Sequence, residues 1–150
     1  MIKICIKPIL AVFIASGISA NMGLAVAFAD STPIAKNAKA YIIWPYDGTV
    51  IKGGKLWVRM GLRNAGIAPA GVEFPNTGHH HLLVDTDLPP FDEEIPNDKN
   101  HLHFGAGQTE ARLELPPGEH TLQLLLADHA HRPHNPPIYS KKITIIVPPY

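Results

Sequence analysis

Nine histidines fall between residues 79 and 134, and none lies outside that span. Three open the stretch "GHHHLLVDTD" as His79, His80 and His81. Three His-x-His pairs result: His79 with His81, His101 with His103, and His129 with His131. Along a β-strand, residues i and i+2 point the same way and lie roughly 6.5–7 Å apart. Two imidazoles so placed can converge on one cation. Two such pairs on strands, joined by His131 and His134 from the loop "DHAHRPH", predict a metal site. His81, His103, His131 and His134 are the first candidate ligands, then His79 and His101, with His80 as the group that orients them. Asp85, Asp87 and Asp128 are the carboxylates near enough in sequence to add an oxygen ligand.

The donor set limits the ion. The only cysteine is Cys5, and methionines number three, so imidazole dominates. Imidazole suits copper, zinc, nickel and iron, and the affinity order for nitrogen sites places copper(II) first. Copper is the expected ion and zinc the second choice. The acidic loop "DTDLPPFDEE" is a minor candidate for a hard cation. Other chemistries lack their residues. No G-x-S-x-G occurs, and no glycine-rich phosphate loop precedes a helix.

Strands must position these histidines. In "HHHLLVDTD" the alternation places His80, Leu82 and Val84 on one face and His79, His81 and Leu83 on the other. In "HLHFG" Leu102 and Phe104 oppose His101 and His103. The apolar phase of each predicts that the His pairs turn to an outward or end-facing surface. Lys55 to Leu62 alternates with Leu56, Val58, Met60 and Leu62 in phase. "QTEARLEL", "HTLQLLLAD" and "KKITIIV" alternate likewise. No segment sustains a helical period, and 15 prolines argue the same way. Turn signals such as "YDG", "KGG" and "PPG" separate the runs. About seven short strands with this punctuation predict an all-β antiparallel sandwich of immunoglobulin or fibronectin type. "PPGEHTLQL" fits the entry to strand F of such sandwiches. His120 stands there in place of the corner tyrosine, as a hydrogen-bonded residue rather than a ligand.

The N-terminus has its own physics. Lys3 and Lys7 precede an apolar run, and "Ala27-Phe28-Ala29" supplies a small-x-small cleavage site. Residues 1–29 read as a signal peptide, residues 30–39 as a flexible lead and residues 40–150 as the sandwich domain. Periplasmic or secreted localisation follows. Cleavage leaves 121 residues without cysteine, hence no disulfide. Without Lys3 and Lys7 the chain keeps 11 basic and 13 acidic residues. With no basic patch, nucleic acid is not an expected partner. No later stretch is long and apolar enough to span a bilayer. The expected partner is the metal ion, with a homodimer as the arrangement in which two half-sites would meet.

Three stretches, "PAGVEFPNTGHHHLLVDTD", "KNHLHFGAGQTE" and "PPGEHTLQLLLADHAHRPHNPPIYSKKITI", resemble an uncharacterised family of small exported bacterial proteins, a domain of unknown function of the 4399 series. The resemblance covers roughly residues 40 to 147. It carries over to His79, His80, His81, His101, His103, His120, His131 and His134, and not to His129. It implies the fold and export and assigns no activity. "HLHFG" is also similar to the copper-ligand strand of copper–zinc superoxide dismutases, one residue shorter before the phenylalanine and without that family's disulfide. The functional expectation is a transition-metal binding protein for buffering or delivery, leaning away from an enzyme. The alternatives are a small copper oxidoreductase of superoxide dismutase type and a non-metal interaction or carbohydrate-binding module using Trp57.

Overall fold

The structure is a computed structural model and describes residues 33–149; the expected signal peptide lies outside the described residues. Among the described residues, nine strands form two sheets. They are β1 (Lys39–Trp44), β2 (Thr49–Val50), β3 (Lys55–Arg63), β4 (Gly66–Ile67), β5 (Thr77–Val84), β6 (His101–His103), β7 (Glu110–Glu114), β8 (Gly118–Ala127) and β9 (Ile143–Val147). One sheet has the order β1-β3-β7. The other runs β2-β9-β8-β5, and the far edge of β5 is shared by β4 and β6. The longer strands pair antiparallel, and two-residue β2 and β4 add short parallel contacts. The described residues contain no α-helix. The chain is thus a β-sandwich, with the two-sheet partition of the immunoglobulin type.

Alternation sets the core. β3 buries Leu56, Val58 and Met60 while Lys55, Trp57 and Arg59 stay exposed. Leu82, Val84, Leu122, Leu124, Leu126, Ile145 and Val147 meet them from the other sheet. Residues 33–38, expected as a flexible lead, join the packed domain. Ile34 and Ala38 are buried in the core, and the Ala35 amide donates to Asn76 Oδ1 at 2.8 Å.

β5 departs from the expected half-buried strand, because both its faces are covered. Leu83, Leu125, Ala127 and Ile95 form a second, small apolar cluster on the outer face of the sheet, with Leu88 against it. Loops from three parts of the chain close over that face. The Ile95 amide donates to the His131 carbonyl (2.9 Å), the Gly71 amide to the His129 carbonyl (2.9 Å) and the Ala70 amide to the Gly105 carbonyl (2.8 Å). These bonds let irregular backbone lie over a sheet without orphaned polar groups.

The corner at the start of β8 is built as the sequence suggests. His120 Nε2–H donates to the Pro116 carbonyl at 2.9 Å, and Nδ1–H donates to Asp85 Oδ2 at 2.7 Å. Burial disfavours the imidazolium. The Asp85 hydrogen bond, the Pro116 carbonyl and the Asp85 charge outweigh it and raise the pKa of His120.

Candidate metal centre

His79 and His81 leave β5 on the face under the loops. His81 pairs with His103 across the β5–β6 ladder, which sets the two side chains on the same face. One ligand nitrogen from each of His79, His81 and His103 lies within 4.8 Å of the others. His79 Nε2 and His81 Nε2 are 3.2 Å apart. His131 comes from the loop after β8, and its Nε2 lies 3.1 Å from that of His103. The four rings pack with centroid separations of 4.7 to 6.3 Å. The set comes from one chain.

Four imidazoles facing one another are poor neighbours without an ion. A neutral imidazole has one N–H donor and one bare nitrogen. If His79 and His81 share an Nε2–H···Nε2 bond, the acceptor ring carries its proton on Nδ1. Nδ1 of each ring is buried with no hydrogen-bond partner. A cation between the Nε2 atoms replaces that strained exchange with two lone pairs donated to one centre. Metal–nitrogen bonds of about 2.0–2.1 Å around a tetrahedral ion put ligand nitrogens about 3.3–3.4 Å apart. The two Nε2 separations of 3.1 and 3.2 Å fall just under that edge.

Burial keeps the two innermost rings deprotonated. His79 is lowered to about 4, first by burial and then by the His103 and His131 charges, with Asp128 opposing. His81 is lowered to about 3 by burial and then by its histidine neighbours. His103 is lowered by burial and by His131. Lone pairs are therefore available on His79 and His81 well below neutral pH. His79 and His81 are fully buried, whereas His103 and His131 are partly exposed and form the route to solvent.

The loop bearing His131 is shaped by Asp128, a carboxylate that sequence reasoning offered only as a spare ligand. Asp128 Oδ1 accepts from the Ala130 amide (2.8 Å) and the Arg132 amide (3.1 Å), and the Asp128 amide donates to the Arg132 carbonyl. Inside this turn His131 adopts φ 63°, a left-handed conformation that costs a non-glycine residue roughly 1–2 kcal/mol. Such strain persists where the surroundings over-determine it. Gly105 is the other residue missed. A Cβ there would stand 2.5 Å from His103 Nε2 and 2.3 Å from its Cε1. The bare glycine lets the His103 ring come close against the backbone; the signal was the glycine two places after His103 in "HLHFG".

Not every candidate joins. His101 shares the face of His103, but its Nδ1 is engaged by Asp98 Oδ1 at 2.9 Å. Asp98 also accepts from the Asn100 and His101 amides, an Asx-turn that fixes the ring there. His80 projects from the opposite face of β5, toward the sandwich core. Both its ring nitrogens are buried without a hydrogen-bond partner, so it orients none of the four rings. Burial lowers its pKa to about 4. His134 is buried with Nε2 packed over Gly78. Asp85 is held by His120 and the Thr121 amide, and Asp87 by Lys142.

Residues 58–148 match the family model described as Domain of unknown function (DUF4399), so all four clustered histidines lie inside the matched region. No curated protein matches the chain. The chain belongs to the DUF4399 family, an uncharacterised domain family.

Proposed function

We propose that this DUF4399 member binds one transition-metal ion, copper before zinc, through Nε2 of His79, His81 and His103, with His131 as fourth ligand. One observation carries the reading: one ligand nitrogen from each of three histidines lies within 4.8 Å of the others, and two of these rings, His79 and His81, are fully buried with an Nδ1 that has no hydrogen-bond partner. The all-imidazole set favours a borderline metal over calcium or magnesium. Copper(II) leads the affinity order for nitrogen donors. Its role would be buffering or delivery in an exported compartment. The ligands are enclosed, and His103 and His131 are the side through which an ion enters and leaves.

The test is metal content of the untagged protein, followed by chelation and titration with copper and zinc separately. One tightly held ion per chain, with copper outcompeting zinc, is the expected result. His103→Ala should abolish tight binding while the far-ultraviolet spectrum stays unchanged. A parent protein that retains no metal and binds both ions only weakly would refute the proposal. Equal binding by His101→Ala is also expected, since Asp98 holds that ring away.

A further inference from the structure

The outer face of the three-stranded sheet lies across the sandwich from the histidines, and its chemistry is different. Trp44, Lys52, Lys55, Trp57, Arg59 and Arg112 line a shallow groove of about 710 Å³ that runs from that face to the edge of the sandwich beside β2. That volume is in the range of ligand-binding clefts. The register explains the composition. Trp57 sits opposite Arg112 on β7, and Trp44 opposite Arg59. A bulge between Ile42 and Trp44 turns Trp44 outward where regular alternation would have turned it in.

The groove is lined by four cationic side chains and no acidic one. Lys55 meets Glu114 at 3.6 Å and Arg59 meets Glu110 at 3.7 Å, all on exposed side chains. Pairs of that kind contribute little and yield to a better partner. Among the described residues, Lys52 and Arg112 form no ion pair. Trp57 is 52% exposed and Trp44 37%. Large exposed aromatics gathered with cations on one face mark a contact surface.

We propose that this groove binds an acidic oligosaccharide through its carboxylates and sugar rings. A guanidinium presents a planar fork that holds a carboxylate by two parallel hydrogen bonds. Arg112 and Arg59, on neighbouring positions of the sheet, offer two such forks. An exposed indole offers a flat apolar surface for the C–H face of a pyranose. Its body is apolar and its N–H is a hydrogen-bond donor. Alternating indole and guanidinium suits a ligand that carries an apolar ring face and a carboxylate in each repeat unit. The site shares no residue with the histidine cluster and does not depend on a metal.

Trp44 and Trp57 are the protein's two tryptophans, so intrinsic tryptophan fluorescence reports on this groove. The experiment titrates the full-length protein with trigalacturonate, with neutral maltotriose and with tetraglutamate as comparisons. Saturable quenching by trigalacturonate alone is expected. Arg112→Ala should weaken it about tenfold or more, through the loss of one charge-assisted fork. Arg112 is exposed, so folding should survive its loss; Arg59→Ala is the second variant. Chelated protein and His103→Ala should bind like the parent. No saturable change up to millimolar trigalacturonate overturns the proposal. So does equal quenching by maltotriose, which would remove the charge argument. A response to tetraglutamate as strong as to trigalacturonate would reassign the groove to acidic peptides and overturn it too.

Discussion

Three adjacent buried histidines should make the metal-free protein fail in mild acid, by an amount that can be worked out. His79 and His80 are lowered to about 4 and His81 to about 3, burial being the largest cause for each. A free histidine titrates near 6.5. A histidine with a depressed folded pKa contributes stability that is whole above its unfolded value. That stability is lost as pH falls from there toward the folded value. At pH 5.0 the unfolded chain holds nearly one proton on each of the three, and the native chain almost none. Unfolding then takes up about 2.7 protons, a slope of about 3.7 kcal/mol per pH unit. Between pH 6.5 and 5.0 the three groups remove about 5 kcal/mol. That rivals the whole stability of a small domain, about 5–15 kcal/mol. His120 acts in the opposite sense: with its pKa raised, its contribution is lost as pH climbs through the higher folded value and is whole well below about 6.5, so it adds almost nothing to the slope at pH 5. The assay is urea unfolding of chelated protein at half-unit steps from pH 7.5 to 4.5. His80→Leu separates the core from the site, since His80 faces Leu126 and the apolar interior. It should leave stability at pH 7.5 no lower, because it removes two unsatisfied nitrogens. It should also cut the slope at pH 5 by about 1.2 kcal/mol per pH unit. A parent slope below about one proton at pH 5 would refute the reasoning, as would a His80→Leu slope equal to the parent's.

Other outcomes follow from single contacts. Gly105→Ala should weaken copper binding about tenfold or more at unchanged fold, because its Cβ would meet His103 Nε2 at 2.5 Å; isothermal titration of copper would read it. His120→Ala should cost about 1–3 kcal/mol at pH 6, since it strips donors from Asp85 and the Pro116 carbonyl, and the penalty should shrink in alkaline urea titrations. Copper in hundredfold excess over its dissociation constant should add about 2.7 kcal/mol to unfolding, seen as a higher melting temperature that His103→Ala does not show.

Much of the sandwich was legible because strand period is a local property. Leu56, Val58 and Met60, and then Leu122, Leu124 and Leu126, declare a face by alternation alone, and the structure buries those faces. The same rule separated His80 from His79 and His81. It said nothing of the outer face, which alternation would leave to solvent. That face is buried by Ile95, Leu88 and the loop at His131, and nothing periodic in those segments reveals where they fold back. His101 and His103 looked equivalent for the same reason. An Asx-turn at Asp98 divides them, three residues before His101 in "NDKNH". His131 could be picked only by its place in "DHAHRPH". Its left-handed backbone depends on the Asp128 turn and on packing against β6.

The four clustered imidazoles come from three separate stretches of a chain whose only cysteine is Cys5. An ion shared by His79, His103 and His131 would close two loops, of roughly 24 and 28 residues. Each closure withdraws conformational freedom from the unfolded chain, in the chain-entropy picture by about 3.5 kcal/mol. The ion would thus act as a removable cross-link, doing for this domain what disulfides do for small secreted domains. Losing it would be a mechanical event as well as a chemical one: β6 and the loop at His131 would lose the tie that pins them to β5, and the domain would slacken as the ion leaves.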